Sequence, residues 1–345
     1  MKGLFILLII ITIQPSYCNA KNNPRVFIFS DINIDAGDPD DRQSLIHLFW
    51  YANELQIEGF VPERWNAKGL EASEMVVDAY RKDYEKYSFK KSDYPLPSTL
   101  NNILAKNKED AIRLFSTAAA DTSSPLYVLI WGNLELFTSI LFQKPELAKN
   151  IRLITIGTGL MLENDIQHIP ANWEKSAPCK QLNWNGLKRD VLYSDHRFFE
   201  MWWLEINWTY NGMFSGEEPK QMFLKLSKFG QLGKHVKEAV KSKAWASYFR
   251  VGDTPSVLYL IDSAHELNDP TQSSWAGAFN RPFPKNRPFY FTDSNGPHEW
   301  DYENPCNTWN NHVKVKEFAI KTLEERRNEM YNALLDKLKD LYRED

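Results

Sequence analysis

The chain has 345 residues, with 41 Lys and Arg against 45 Asp and Glu, and a formal net charge of −4 at pH 7. This balance lacks the basic footprint of a nucleic-acid-binding protein, so we expect no nucleic-acid partner. The length suffices for one large α/β domain or two small ones. The 12 Trp, 15 Tyr and 20 Phe are compatible with contacts to sugars or bases, although most aromatic side chains belong to cores.

Residues 1–20 have the pattern of a secretory signal peptide. A basic residue is followed by an apolar run over residues 4–13 and by a short polar stretch that ends at Ala20. The apolar run is too short to span a bilayer, and cleavage is expected after Ala20. We therefore expect a secreted or periplasmic protein without a membrane span, in which residues 21–345 form a single domain. A lipoprotein anchor at Cys18 is the competing interpretation.

The first half of the mature chain alternates between strand and helix patterns. Short, nearly continuous apolar runs predict strands at residues 25–29, 56–61, 125–132 and 150–157. Helical patterns lie between them, at residues 39–55, 69–87 and 134–143. Buried strands separated by helices predict an α/β fold with a mostly parallel central sheet and helices on both faces.

From about residue 160 the pattern loosens into turn-rich and aromatic-rich segments. The later helices are predicted at residues 197–206, 219–228, 232–248 and 254–262, with a strongly charged final helix at 312–343. Residues 281–311 carry prolines and asparagines and are predicted to form long loops. Cys179 and Cys306 are compatible with one disulfide or with two thiols, and their spacing leaves both open.

An acidic segment follows the first predicted strand. In "SDINIDAGDPDDRQSL" five aspartates occupy eleven positions: Asp31, Asp35, Asp38, Asp40 and Asp41. Charges this close repel, and each loses hydration if the fold covers it. Ligands of open parallel sheets bind beyond the carboxyl ends of strands, and clustered carboxylates suit Ca²⁺. A solvated acidic turn is the alternative; it accounts for Asp40 and Asp41 at a helix start but not for the other three.

The same segment resembles the D-x-D-x-x-x-D-D loop of the inosine-uridine nucleoside hydrolases. It is more similar still to a secreted branch, the nucleoside hydrolase-like domain of proteins labelled cellulose-binding (the DUF1593 type). "YVLIWGNLELFTSILFQKPELAKNIRLITIGTG" at 127–159 is similar to the family's strand, Gly-x-Leu turn, helix and next strand. "GDTPSVLYLI" at 252–261 resembles the helix start that carries its late metal ligand. The resemblance spans about residues 25–265.

The resemblance implies a Ca²⁺ site and a sugar site that share residues. The metal ligands would be Asp31, Asp41, Asp253 and the backbone carbonyl of Trp131. The substrate, a nucleoside or a related sugar, would be bound by Asp40, Asn183 and Asp253, and Asn185 is the alternative to Asn183. Asp31 is assigned as the base that takes a proton from the water attacking the anomeric carbon.

Two departures from the family pattern bear on these assignments. The acidic loop is longer than in standard hydrolases, so Asn33 or Asp35 is an alternative to Asp31 at the metal. Gly252 stands where hydrolases usually place a histidine, which removes a candidate leaving-group contact. The leading hypothesis is a secreted Ca²⁺-dependent glycosidic-bond hydrolase, and a homo-oligomer is compatible with it. The alternative is a non-catalytic carbohydrate-binding protein on the same fold.

Overall fold

A computed structural model describes residues 23–34, 39–158, 160–162, 181–183, 188–240, 248–300, 302 and 313–343. The predicted signal peptide, both Asp35 and Asp38, and both Cys179 and Cys306 lie outside these residues. None of the helices in the described part of the chain is both long and apolar enough to cross a membrane.

The described residues contain nine strands. They are β1 (Arg25–Ser30), β2 (Gln56–Pro62), β3 (Leu126–Trp131), β4 (Ile151–Ile156), β5 (Leu160–Leu162), β6 (Gln181–Asn183), β7 (Trp202–Ile206), β8 (Phe279–Asn280) and β9 (Tyr290–Asp293). Seven form one sheet in the order β2-β1-β3-β4-β7-β9-β8, and β5 pairs separately with β6. Every pairing in the large sheet is parallel except that of β8 with β9 at one edge. The predicted mostly parallel sheet is confirmed.

Helices cover both faces of this sheet. They are α1 (Asp40–Trp50), α2 (Gly69–Lys86), α3 (Pro97–Asn102), α4 (Lys108–Ala120), α5 (Glu135–Gln143), α6 (Lys188–Ser194), α7 (Glu218–Leu226), α8 (Gly230–Glu238), α9 (Pro255–Ile261) and α10 (Val313–Leu341). Alternate residues of β1 enter different cores: Val26 and Ile28 pack with residues of α1, α2, α9 and α10, whereas Phe27 and Phe29 pack with α4 and α5. This alternation follows from the two-residue period of a strand and creates two cores on opposite faces.

Two predictions for the second half are wrong. Residues 197–206 were expected to be helical, but Trp202–Ile206 form β7, which pairs with β4 on one side and with β9 on the other. Residues 281–311 were expected to be loops, yet they include β9. A short apolar run fits a helix or a strand equally well, so pairing within the sheet decides its conformation. Two helices also end early, α1 at Trp50 and α8 at Glu238.

Candidate functional site

The candidate site lies where β1 and β3 end, at the carboxyl edge of the sheet. The two strands pair residue for residue up to Ser30 and Trp131. Just beyond this pair, the backbone N–H of Asp31 donates to the carbonyl of Trp131 at 2.9 Å. Gly132 has a φ of +136°, and a Cβ there would lie 2.8 Å from Cγ of Asp31. Glycine therefore lets the chain after β3 pass close to the Asp31 side chain.

Three carboxylates converge beside this edge. Asp40 and Asp41 occupy the first turn of α1, and Asp253 lies two residues before α9. One oxygen of each carboxylate lies within 4.8 Å of the corresponding oxygens of the other two. Asp41 is 9% exposed and Asp253 is 7% exposed. Little water can therefore screen the repulsion among these charges.

Asp41 shows the electrostatic cost of this arrangement. Burial raises the pKa of Asp41 well above its ordinary value, and the charges of Asp31, Asp253 and Asp40 raise it further. The hydroxyl of Ser30 donates to Oδ1 of Asp41 at 2.5 Å and acts in the opposite direction. A divalent cation would offset the repulsion, and the converging ligand atoms are all oxygens, which Ca²⁺ prefers. The residues present therefore fit a hard cation.

Asp31 faces a different partner. Nε of Arg64 donates to Oδ2 of Asp31 at 2.9 Å, and Nη2 of the same guanidinium contacts this oxygen too. Asp31 is not one of the three carboxylates that converge within the described residues. Its side chain is 26% exposed and that of Arg64 is 53% exposed. An ion pair this exposed contributes little stability and can open at low cost.

A buried hydroxyl fixes the segment that carries Asp253. The indole Nε1 of Trp131 donates to Oγ of Ser256 at 2.8 Å, and this hydroxyl donates to the carbonyl of Asp253 at 2.6 Å. Oγ1 of Thr254 donates to Oγ of Ser44, in α1, at 3.2 Å. These bonds connect the start of α9 to β3 and to α1, and so hold Asp253 near the start of α1.

Aromatic side chains form a wall beside Asp40. A Cβ on Gly252 would lie 2.6 Å from Cζ of Phe214 and 2.9 Å from Oδ2 of Asp40. The guanidinium of Arg250 lies 3.9 Å from the ring centre of Phe214, and Tyr210 packs edge-on against the same ring at 5.7 Å. Burial raises the pKa of Tyr210, and the nearby charge of Asp40 adds to the effect. Phe214 therefore fills the space that a side chain at position 252 would need.

The remaining predicted residues are described only in part. Asn183 ends β6 and pairs with Leu160 of β5, but its side chain and the whole of Asn185 lie outside the described residues. Asn33, the alternative metal ligand, donates through Nδ2 to the carbonyl of Asp31 at 3.2 Å. The roles of Asp31, Asn183 and the Trp131 carbonyl stay predictions, as do those of Asp40, Asp41 and Asp253.

Sequence reasoning missed several residues of the site: Ser30, Arg64, Tyr210, Phe214 and Arg250. Position after a strand was the signal that could have found most of them. Arg64 follows β2, and Tyr210 and Phe214 follow β7, all at the carboxyl edge of the sheet. Residues 197–206 were predicted to be a helix. The position of Tyr210 and Phe214 after a strand was therefore not recognised.

Comparison with known proteins places the chain in a family. Residues 25–279 match the family model described as cellulose-binding Sde182, nucleoside hydrolase-like domain. The chain belongs to this family. The match includes all three converging carboxylates, and the resemblance stated from the sequence is confirmed. No curated protein sequence matches the chain.

One solved structure supports the fold of this family member. A nucleoside hydrolase-related protein from Saccharophagus degradans, described as associated with carbohydrate metabolism, is similar with a TM-score of 0.58 at 13% identity, over 94% of this chain and 73% of that one. An inosine-uridine preferring nucleoside hydrolase from Bacillus anthracis has a TM-score of 0.43 at 14% identity, over 86% of this chain and 99% of that one. Likeness at such identities concerns the fold and not the activity.

Proposed function

We propose that the chain is a secreted, Ca²⁺-dependent hydrolase of a glycosidic bond in a nucleoside or a related sugar. The observation that carries the proposal is the convergence of Asp40, Asp41 and Asp253, two of them almost fully buried. They converge at the carboxyl edge of a parallel sheet, which is where ligands bind in such folds. Holding three carboxylates this close, two of them buried, is costly unless a cation compensates for their charge.

Each acidic residue then has a distinct role. Asp41 and Asp253 would hold Ca²⁺, together with Asp31 and the carbonyl of Trp131. When bound, the ion would orient a water molecule and lower its pKa. Asp31 would accept the proton of the attacking water; because both contacts from Arg64 are to Oδ2, we assign the proton to Oδ1.

The substrate is held by the remaining polar groups. Asp40 accepts hydrogen bonds from the sugar hydroxyls, and Asn183 and Asp253 are assigned to the same sugar. As the glycosidic bond stretches, positive charge develops on the sugar ring, and the surrounding carboxylates stabilise that charge. This is the step for which the excess of negative charge in the cluster is useful.

The leaving group would contact different side chains from those of hydrolases that have a histidine at the position of Gly252. Gly252 brings no side chain, and a Cβ there would meet the Phe214 ring and Oδ2 of Asp40. The Arg250 guanidinium lies over the same Phe214 ring. A guanidinium donates hydrogen bonds but does not release its proton. We therefore expect a leaving group that is stabilised by hydrogen bonding and ring contact rather than by an imidazolium acid.

Carbohydrate binding without catalysis is the alternative, and the family description favours it. Binding along an extended polysaccharide would need a row of exposed rings. No tryptophan or tyrosine in the described part of the chain is exposed; the large exposed apolar side chains there are Met75, Leu96, Val191, Leu224, Phe289 and Val313.

Calorimetric titration with Ca²⁺ tests the metal site. The mature protein is compared with Asp41→Ala, and with Asp336→Ala as a control, because Asp336 is an exposed carboxylate on α10. We expect saturable Ca²⁺ binding by the wild type and the control, and a loss of at least about tenfold in affinity for Asp41→Ala. Equal Ca²⁺ affinity of the two variants would refute the metal assignment.

Ribose and a nucleoside panel are then titrated with Ca²⁺ and with excess EDTA, and base release is followed by chromatography. Release that requires Ca²⁺ supports hydrolysis. Binding of the sugar without release supports the carbohydrate-binding alternative.

A further inference from the structure

The proposed metal ligand Asp31 has a partner of opposite charge. Nε of Arg64 donates to Oδ2 of Asp31 at 2.9 Å, and Nη2 contacts the same oxygen. Among the described residues, Arg64 is the only basic side chain that forms an ion pair with Asp31. The carboxylate of Asp31 is not one of the three whose oxygens converge in the described part of the chain. Asp31 must therefore exchange Arg64 for the cation if it is to act as a ligand.

The backbone on both sides of this ion pair is held in place. The N–H of Asp31 donates to the carbonyl of Trp131 at 2.9 Å, and the N–H of Glu63 donates to the carbonyl of Ser30 at 2.8 Å. The carbonyl of Arg64 accepts from two backbone N–H groups further along its own loop. A change of partner at Asp31 is therefore a movement of side chains and needs no rearrangement of the loops.

Asp31 lies between two other acidic groups. Burial raises the pKa of Glu63 well above its ordinary value, and the charge of Asp31 is the next cause. The same two causes, in the same order, raise the pKa of Asp41. The charge of Arg64 acts on the pKa of Glu63 in the opposite direction. The guanidinium would therefore still interact with a neighbouring carboxyl group after it had released Asp31.

The exposure of the ion pair makes the exchange inexpensive. The side chain of Arg64 is 53% exposed, so water can solvate the guanidinium once it is released. A divalent cation carries twice the charge of a guanidinium and would attract Asp31 together with the converging carboxylates. The cation is therefore the stronger partner of Asp31, and the cost of displacing Arg64 lowers its affinity.

We propose that Arg64 competes with the cation for Oδ2 of Asp31 and thereby sets the Ca²⁺ affinity of the acidic site. Asp31 leaves Arg64 as it joins Asp41 and Asp253 in binding the ion. Oδ1 of Asp31, which Arg64 does not contact, keeps its assignment as the oxygen that accepts the proton. Arg64 is thus a positioning residue that acts through Asp31. This inference rests on the proposed Ca²⁺ site.

A double-mutant cycle tests the competition. Ca²⁺ is titrated calorimetrically into the mature wild type, Arg64→Gln, Asp31→Asn and the variant that carries both substitutions. Arg64→Lys keeps the charge but loses the planar guanidinium. Arg81→Gln is the matched control, because Arg81 is an exposed arginine that pairs with Asp78 on α2. Thermal unfolding checks that every variant is folded.

Arg64→Gln should raise the Ca²⁺ affinity about threefold, because Asp31 no longer has to leave a partner. Asp31→Asn should lower the affinity about tenfold, and Arg64→Gln should then add less than about a twofold change, because the two residues act through one contact. Arg64→Lys should lie between the wild type and Arg64→Gln, and Arg81→Gln should match the wild type.

The outcomes separate this proposal from the proposed metal site. An equal rise in Ca²⁺ affinity with Asp31 and with Asn at position 31 would show that Arg64 acts only through its charge, which overturns the competition. An unchanged affinity in Arg64→Gln also overturns it, while a loss of binding in Asp41→Ala would still support the metal site. Absence of Ca²⁺ binding by the wild type would overturn both.

Discussion

Asp41 and Glu205 are both buried carboxylates near the carboxyl edge of one sheet, yet their surroundings shift their pKa values in opposite directions. Burial and three neighbouring carboxylates raise the pKa of Asp41, with the hydroxyl of Ser30 acting against them. Burial also acts to raise the pKa of Glu205, but Arg189 and further donors outweigh it and hold the value below the ordinary range. The protein neutralises Glu205 internally, whereas the neighbouring carboxylates of Asp41 add to its repulsion.

This difference separates a structural charge from a functional one. Glu205 accepts from the Arg189 guanidinium and also from the hydroxyls of Thr158 and Tyr290. A satisfied network of this kind holds α6, β7 and β9 together, and it needs no ligand. A buried carboxylate whose neighbours repel it either holds a proton or accompanies a cation.

Breaking the ion pair between Arg189 and Glu205 is expected to change the free energy of unfolding most. Glu205→Gln leaves the Arg189 guanidinium buried without its counter-charge, and the free energy of unfolding should fall by about 3–5 kcal/mol. Denaturant unfolding measures the change. Glu329→Gln is the control, because Glu329 pairs with Arg326 on the surface of α10 and should cost little. A similar small cost for Glu205→Gln would mean that the buried pair does not stabilise the fold.

Substitutions in the aromatic wall beside Asp40 are expected to change the free energy of unfolding less. Gly252→Ala places a Cβ against the Phe214 ring and Asp40, so overpacking should cost about 1–3 kcal/mol of unfolding free energy. Phe214→Ala removes the obstacle, and the double variant should lose less than the two single losses combined. Additive losses would show that Phe214 and position 252 do not compete for the same space.

The acidic cluster around Asp41 and the Glu205 network also differ in how far the sequence predicted them. The strands β1 to β4 and the carboxylates at the start of α1 were predicted, because short apolar runs followed by acidic turns are local patterns. β7 and β9 were not, since the short apolar run of β7 fits a helix equally well and the four residues of β9 lie in a segment with many prolines and asparagines. The Arg64 contact to Asp31 and the packing of Phe214 against Gly252 likewise depend on tertiary proximity, which one-dimensional patterns do not contain.

The smallest expected change in the free energy of unfolding is that of Asp41→Asn. It is also the most specific, because Asp41→Asn should stabilise the protein whereas Glu205→Gln should destabilise it. In excess EDTA, Asp41→Asn should raise the free energy of unfolding slightly, because it removes a buried charge that three carboxylates repel. With Ca²⁺ the order should reverse, since the wild type gains binding energy that the variant lacks. Thermal unfolding of both proteins, with EDTA and with Ca²⁺, measures the two differences.

A variant less stable than the wild type in EDTA would show that the Ser30 hydrogen bond outweighs the repulsion. The acidic cluster would then be stable without a cation, as the Glu205 network is. In that case the helix start, and not a cation, would be the reason for the two adjacent aspartates.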